Sequence, residues 1–132
     1  MIFKDTKGKY TIKLDTKRRI ATEIMVGAFE TEDVQRFTED YKRLVGEHFN
    51  KNGIKPWSKL ADIREYRTSN VVEAINEHAH WAITNGMTHT ASIVSKVVDG
   101  MQMKRSVKGT AIKLEYFTSE EDGLKWLESQ GF

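Results

Sequence analysis

Asn76-Glu77-His78-Ala79-His80-Trp81 is the densest run of side chains able to hold a metal or move a proton. On a regular helix, residues two apart point about 200° from one another, so His78 and His80 cannot grip one ion together. Glu73, Glu77 and His80 do share a helical face. Helical carboxylate and histidine sites of that kind draw matching ligands from other helices, and no second set is visible. The expectation is a solvated polar face opposite an apolar stripe of Val71, Val72, Ile75, Ala79 and Ala82, with no metal and no cofactor. His89 is a candidate general base, but it stands at the start of an expected strand, whereas ligand crevices in open α/β sheets form at the carboxyl ends. It reads as a structural histidine. Without a Gly-x-Ser-x-Gly elbow or a phosphate-binding glycine-rich loop, the best-defined hydrolase and nucleotide-binding chemistries drop out, and no catalytic residue is assigned.

A different chemistry suits Asp62-Ile63-Arg64-Glu65-Tyr66-Arg67-Thr68-Ser69-Asn70, which leaves the carboxyl end of one expected strand and enters a helix. Hydroxyls and free amide groups at a helix start accept anions, and Arg64 and Arg67 add positive charge. Arg64, Arg67, Thr68, Ser69 and Asn70 are therefore the candidate partner- or anion-binding residues, with Thr68 or Ser69 a candidate phosphosite. One of Thr68, Ser69 and Asn70 is also expected to cap the helix, Asn70 and Glu73 forming a box-like pair.

The elements that position these residues follow from periodicity. Tyr10, Ile12 and Leu14 alternate with polar residues, and beyond a Thr16 to Arg19 turn Ile20, Thr22, Ile24, Val26 and Ala28 alternate again, an antiparallel hairpin. Lys17-Arg18-Arg19 forms its tip and reads as solvated. Thr31 is the expected cap of a helix carrying Val34, Phe37, Tyr41, Leu44, Val45 and Phe49 on one side, with Glu32 and Asp33 in its first turn. Trp57 to Ile63 reads as a strand, Val71 to Ala82 as a helix stopping at Asn85-Gly86, Thr88 to Val98 as a β-branched central strand, Asp99 to Lys108 as a short helix and Ile112 to Phe117 as the last strand. Ser119 then caps a terminal helix, with Asp122 three residues on, Glu120 and Glu121 on the positive end of its dipole, and Leu124 and Leu127 sharing a face. The expected fold is α/β: a mixed five-stranded sheet, begun by an N-terminal antiparallel hairpin and continued by parallel β-α units with right-handed crossovers, and four helices, in a single domain over residues 1–132.

Composition bounds the function classes. Hydrophobic residues make up 39% and charged residues 30%, the balance of a soluble globular chain and not of a disordered one. Cysteine is absent, which removes thiolate chemistry and fits a reducing, cytoplasmic setting. A net charge of +2, with its basic clusters dispersed, gives no footprint for nucleic acid, and no run approaches the roughly 20 apolar residues of a membrane span. Met25, Met87, Met101 and Met103, with Trp57, Trp81 and Phe117, are candidates to line a cavity for a small apolar or lipid-like ligand, although core packing is the commoner use of such residues. Homo-oligomerisation is left open.

Three local signatures carry a family resemblance: Asp62-Ile63-Arg64 at a strand end, Thr68-Ser69-Asn70 at the following helix, and the closing Phe117-x-Ser119-x-Glu121-x-x-Leu124-x-Trp126-Leu127. With the element order, these make nearly the whole chain resemble the STAS-like anti-sigma factor antagonist superfamily, in particular its free-standing bacterial branch of STAS/Sec14 type. The resemblance implies a sheet covered largely on one side by helices, and a binding or regulatory role without turnover. In the well-studied antagonists the hydroxyl residue opening the second helix is phosphorylated, which switches binding of a protein partner; the counterpart here is Thr68 or Ser69. The Asp-Ser-Ser-Gly run of those proteins is replaced by Arg67-Thr68-Ser69-Asn70. The Sec14-like relationship implies the alternative of an apolar ligand.

Overall fold

The computed structural model describes residues 1–67 and 71–132. Its strands are β1 (Ile2–Lys4), β2 (Tyr10–Asp15), β3 (Ile20–Ala28), β4 (Trp57–Arg67), β5 (Met87–Ile93) and β6 (Lys113–Phe117). The helices are α1 (Thr31–His48), α2 (Val72–Thr84), α3 (Val97–Ser106) and α4 (Glu120–Ser129). The strands lie side by side in chain order, β1 to β3 antiparallel and β3 to β6 parallel. The α/β class and mixed pairing are as expected, but the sheet has six strands and not five. The extra one, β1, is three residues long, too short to display an alternation. It pairs Ile2, Phe3 and Lys4 with Lys13, Ile12 and Thr11.

Apolar residues fill both faces. Beneath α1 and α2 lie Tyr10, Ile12, Phe29, Phe37, Tyr41 and Trp57; on the opposite face Ile20, Leu60, Ala91, Ile93, Leu127 and Phe132 pack under α4. The expected phase of β3 is inverted. Ala21, Glu23 and Met25 face the core under α1, while Thr22, Ile24 and Val26 point the other way, Val26 being exposed. A bulge between Trp57 and Ser58 in the pairing of β4 with β5 puts Met87 in one core and Ala91 and Ile93 in the other.

Helix starts show local chemistry at work. In α4 the Ser119 hydroxyl accepts a hydrogen bond from the Asp122 amide at 3.2 Å, ahead of three acidic residues in the first turn, so the terminal helix is capped as its sequence indicated. In α1 the cap falls one residue early: Glu30, not Thr31, occupies the N-cap, and its amide donates to the Asp33 carboxylate at 2.9 Å. The strand expected to reach Val98 ends at Ile93, where the Val94 amide donates to the Phe117 carbonyl and the chain turns into α3. A methyl group at Gly123 would stand 2.7 Å from Ile93 Cδ1, so α4 sits close enough to the sheet to need glycine there. The hairpin tip is not simply solvated. Arg19 donates to the carbonyls of Pro56 at 2.9 Å and Gly131 at 2.6 Å, and its guanidinium lies over the Phe132 ring.

Candidate functional site

β4 outruns its neighbour. Its pairing with β5 ends at Asp62 opposite Ile93, whereas its pairing with β3 continues to Arg67 opposite Ala28, across a bulge between Ile24 and Val26. Ile63 to Arg67 therefore form a ledge at the carboxyl end of the sheet, beyond the last pair with β5, and Glu65 to Arg67 still pair with β3. On this ledge Arg64, Glu65 and Arg67 are exposed, while Tyr66 is half-buried against the Phe29 ring, 5.4 Å away. Arg64 and Arg67, expected beyond a strand that ends at Ile63, thus lie within the strand.

The two arginines are not equivalent. Arg64 grips Asp62 through one edge of its guanidinium, Nε to Oδ1 at 3.0 Å and Nη2 to Oδ2 at 2.7 Å. These hydrogen bonds hold the Asp62 carboxyl below the usual carboxylate range, against the opposing effect of burial. Arg64 is correspondingly held charged, by Asp62 first and by the more distant Glu120 and Glu65. An incoming anion would have to compete with a bidentate intramolecular pair. Arg67 stands exposed where β4 ends. Thr68, Ser69 and Asn70, the candidate phosphosite and cap, lie outside the described residues. The N-cap of α2 is Val71, a residue later than Asn70, so the expected Asn70 and Glu73 spacing does not match N-cap and N3.

The larger surprise is a buried polar cluster between sheet and helices. Lys59 of β4 places Nζ 2.9 Å from Glu23 Oε1 of β3 and 2.9 Å from His78 Nε2 of α2, and 4.8 Å from the centre of the Tyr41 ring of α1. His78 Nδ1 meets the Thr38 hydroxyl of α1 at 3.0 Å. Glu23, Lys59 and His78 are all buried, and the Tyr41 hydroxyl is buried without a hydrogen-bond partner. Burial, with the Lys59 and Lys42 charges, pushes His78 well below its ordinary pKa. Burial and the neighbouring Glu23 carboxylate push the Tyr41 phenol well up. The carboxylate, ammonium and imidazole are spent on one another, and none presents a free lone pair to solvent.

His78 thus contradicts the expected solvated face. The helix turns Val71, Ala74, His78 and Ala82 inward, a spacing of three to four residues, and leaves Ile75 39% exposed. Glu73, Glu77 and His80 lie on the exposed side, and among the described residues no three acidic or histidine side chains converge as a metal site. His89 is half-buried between the Trp126 and Phe132 rings, 5.8 and 5.2 Å away. The residues expected to line an apolar cavity do not converge. Met25, Met87 and Trp57 are packed in the core under α1 and α2, Met101 is 48% exposed on α3, and Phe117 packs on Trp126 across the sheet. Two clefts open on the surface: about 530 Å³ between Ile2, Lys13, Arg18 and Leu124, and about 1080 Å³ between Met101 of α3, β6 and Trp126. Among the described residues, no helix is long and apolar enough to cross a membrane.

No family model and no curated protein matches the chain. Among solved structures, it is similar to an uncharacterized protein of the DUF3478 family from Shewanella loihica PV-4, described as having a SpoIIAA-like fold. The two share 15% identity at a TM-score of 0.70, over 89% of this chain and 93% of that one. With its sequential sheet and four helices, the chain has the SpoIIAA-like fold, that of the STAS-like anti-sigma factor antagonists.

Proposed function

We propose that the protein is a non-enzymatic binding and regulatory module that engages a protein partner through the junction of β4 and α2, Arg64 to Asn70, and that phosphorylation at Thr68 or Ser69 tunes this contact in a cytoplasmic setting. The observation that carries the reading is the ledge from Ile63 to Arg67. It extends past β5 with Arg64, Glu65 and Arg67 exposed, immediately before Thr68 and Ser69 in the sequence. Exposed side chains of both signs at a strand end offer a protein partner specific contacts. The non-enzymatic reading is supported by the burial of Glu23, Lys59 and His78, which contact one another away from solvent. A phosphate on Ser69 would bring about −1.5 to −2 charges two residues along the chain from Arg67, a change that a partner reading charge would register.

Site-specific photocrosslinking tests this. A photoreactive residue at Arg67 should trap one reproducible partner in native lysate, a reporter at exposed Lys125 of α4 should not, and Ser69→Asp should change the yield at Arg67 severalfold while leaving Tm unchanged. Equal trapping from both positions, or no effect of Ser69→Asp, would remove the junction as the working surface.

A further inference from the structure

We propose that His78 makes the docking of α2 on the sheet depend on pH: the neutral imidazole fastens the helix, and protonation in the mildly acidic range releases it. The geometry fixes the tautomer. A charged Lys59 has only N–H groups to offer, so His78 Nε2, 2.9 Å away, must accept with its lone pair, and Nδ1–H donates to the Thr38 hydroxyl at 3.0 Å. A proton on Nε2 would set two cationic N–H groups against each other at that separation.

No other group in the pocket absorbs the second charge. From β3 comes Glu23, already 2.9 Å from Lys59; from β4, Lys59 itself; from α1, the Tyr41 phenol, whose pKa is raised so that it stays neutral, the Thr38 hydroxyl, and Lys42, whose charge also opposes protonation. On α2 itself, Glu73, Glu77 and His80 are exposed. The ring cannot turn aside, because Phe37 and Tyr41 at 5.0 Å and Trp81 at 5.6 Å enclose it. Docked His78 therefore stays neutral at pH values where a released one, with an ordinary pKa near 6.5, takes up a proton. A depressed histidine pKa adds stability that is present above about pH 6.5 and lost as pH falls below it, so undocking becomes up to about tenfold more frequent per pH unit. The carboxylates with depressed pKa values begin to contribute only nearer pH 4, which leaves a window in which histidine acts alone. The inference concerns the position of α2 and stands apart from any partner at the junction.

Hydrogen exchange of the intact protein measures it. Peptides covering Val72–Thr84, corrected for intrinsic exchange, should show an opening constant rising about fivefold between pH 6.5 and pH 5.5, while the hairpin of β1 and β2, which has no histidine, stays flat. His78→Gln can still accept from Lys59 and donate to Thr38 but cannot titrate, so its α2 peptides should lose the slope. A wild-type slope that is flat, or one equal to that of His78→Gln, overturns the proposal. Should His78→Gln fail to fold, NMR titration of the wild-type imidazoles decides: a docked His78 that is neutral at pH 5.5 supports the lock, and one that titrates near 6.5 with α2 still protected refutes it.

Discussion

Replacing Lys59 with methionine should be among the most damaging single changes in the interior, for electrostatic and not steric reasons. Methionine fills most of the volume, yet Glu23, 5% exposed, loses the ammonium 2.9 Å from its carboxylate. At an effective dielectric of about 20 that attraction is ~6 kcal/mol. It is offset in the native protein by the desolvation of both ions, several kcal/mol each, so the pair adds little net stability. Removing one partner leaves the other's desolvation uncompensated, and Lys59→Met should cost about 3–5 kcal/mol at pH 7 in urea melts. The buried Tyr41 hydroxyl lies beside Glu23 and can donate to the carboxylate, and that favours the lower end of the range. Two further results belong to the same reasoning. The deficit should shrink toward pH 4–5, because an unpaired buried carboxylate prefers to be protonated, and adding Glu23→Leu to Lys59→Met should recover most of the loss. A single variant less than about 1 kcal/mol below wild type, or a double variant no better than the single, would show that the pair is solvated.

Acid titration should find the network between the β1–β2 turn and α1. Burial works to raise the Asp33 pKa, but hydrogen bonds from Lys9, the Glu30 amide and Arg36 outweigh it and hold the carboxyl at about 2. Its folded value lies below the unfolded one, so its contribution, about 2 kcal/mol, is complete above pH ~4 and disappears as pH falls toward 2. Asp33→Asn melts should lose most of the acid dependence between pH 4 and pH 2, and an unchanged slope would refute the assignment. Leu127→Ala, at a fully buried position, should cost roughly 2–5 kcal/mol; a loss below about half a kcal/mol would mean that α4 is not docked. Gly123→Ala, normally favourable in a helix, should instead destabilise by about 1–3 kcal/mol because its methyl meets Ile93 Cδ1 at 2.7 Å, and a stabilised variant would place α4 farther from the sheet.

What could be read in the sequence was whatever depends on neighbours along the chain. The Ser119 cap, the paired faces of α1 and the strand-helix alternation are local, and they led to the correct class and pairing directions. What depends on register was hidden. Glu23, Lys59 and His78 each look like a solvated residue beside its chain neighbours, and only the pairing of Ala21 with Lys59 and of Glu23 with Ala61, with α2 rotated over them, brings the three together. The same effect misassigned β3: Ile20, Thr22, Ile24 and Val26 are the more apolar phase, yet Lys59 requires Glu23 on the inner one. Arg64 was legible as an exposed cation but not as one already held by Asp62, and the length of β4 past Ile63 was masked by its charged residues, which a strand bordering solvent tolerates.

The sequential order of the six strands also bears on how the chain comes to be made. Every strand pairs with the one synthesised just before it, so no segment has to wait for a distant partner, and at each stage of elongation the growing sheet presents a single fresh edge to the strand that follows. Such an order suits assembly from the N-terminus during translation. The weak point in that process is the interval after β4 emerges: Lys59 and Glu23 are then paired beneath α1 alone, and they remain partly open to water until α2 arrives to place His78 over them.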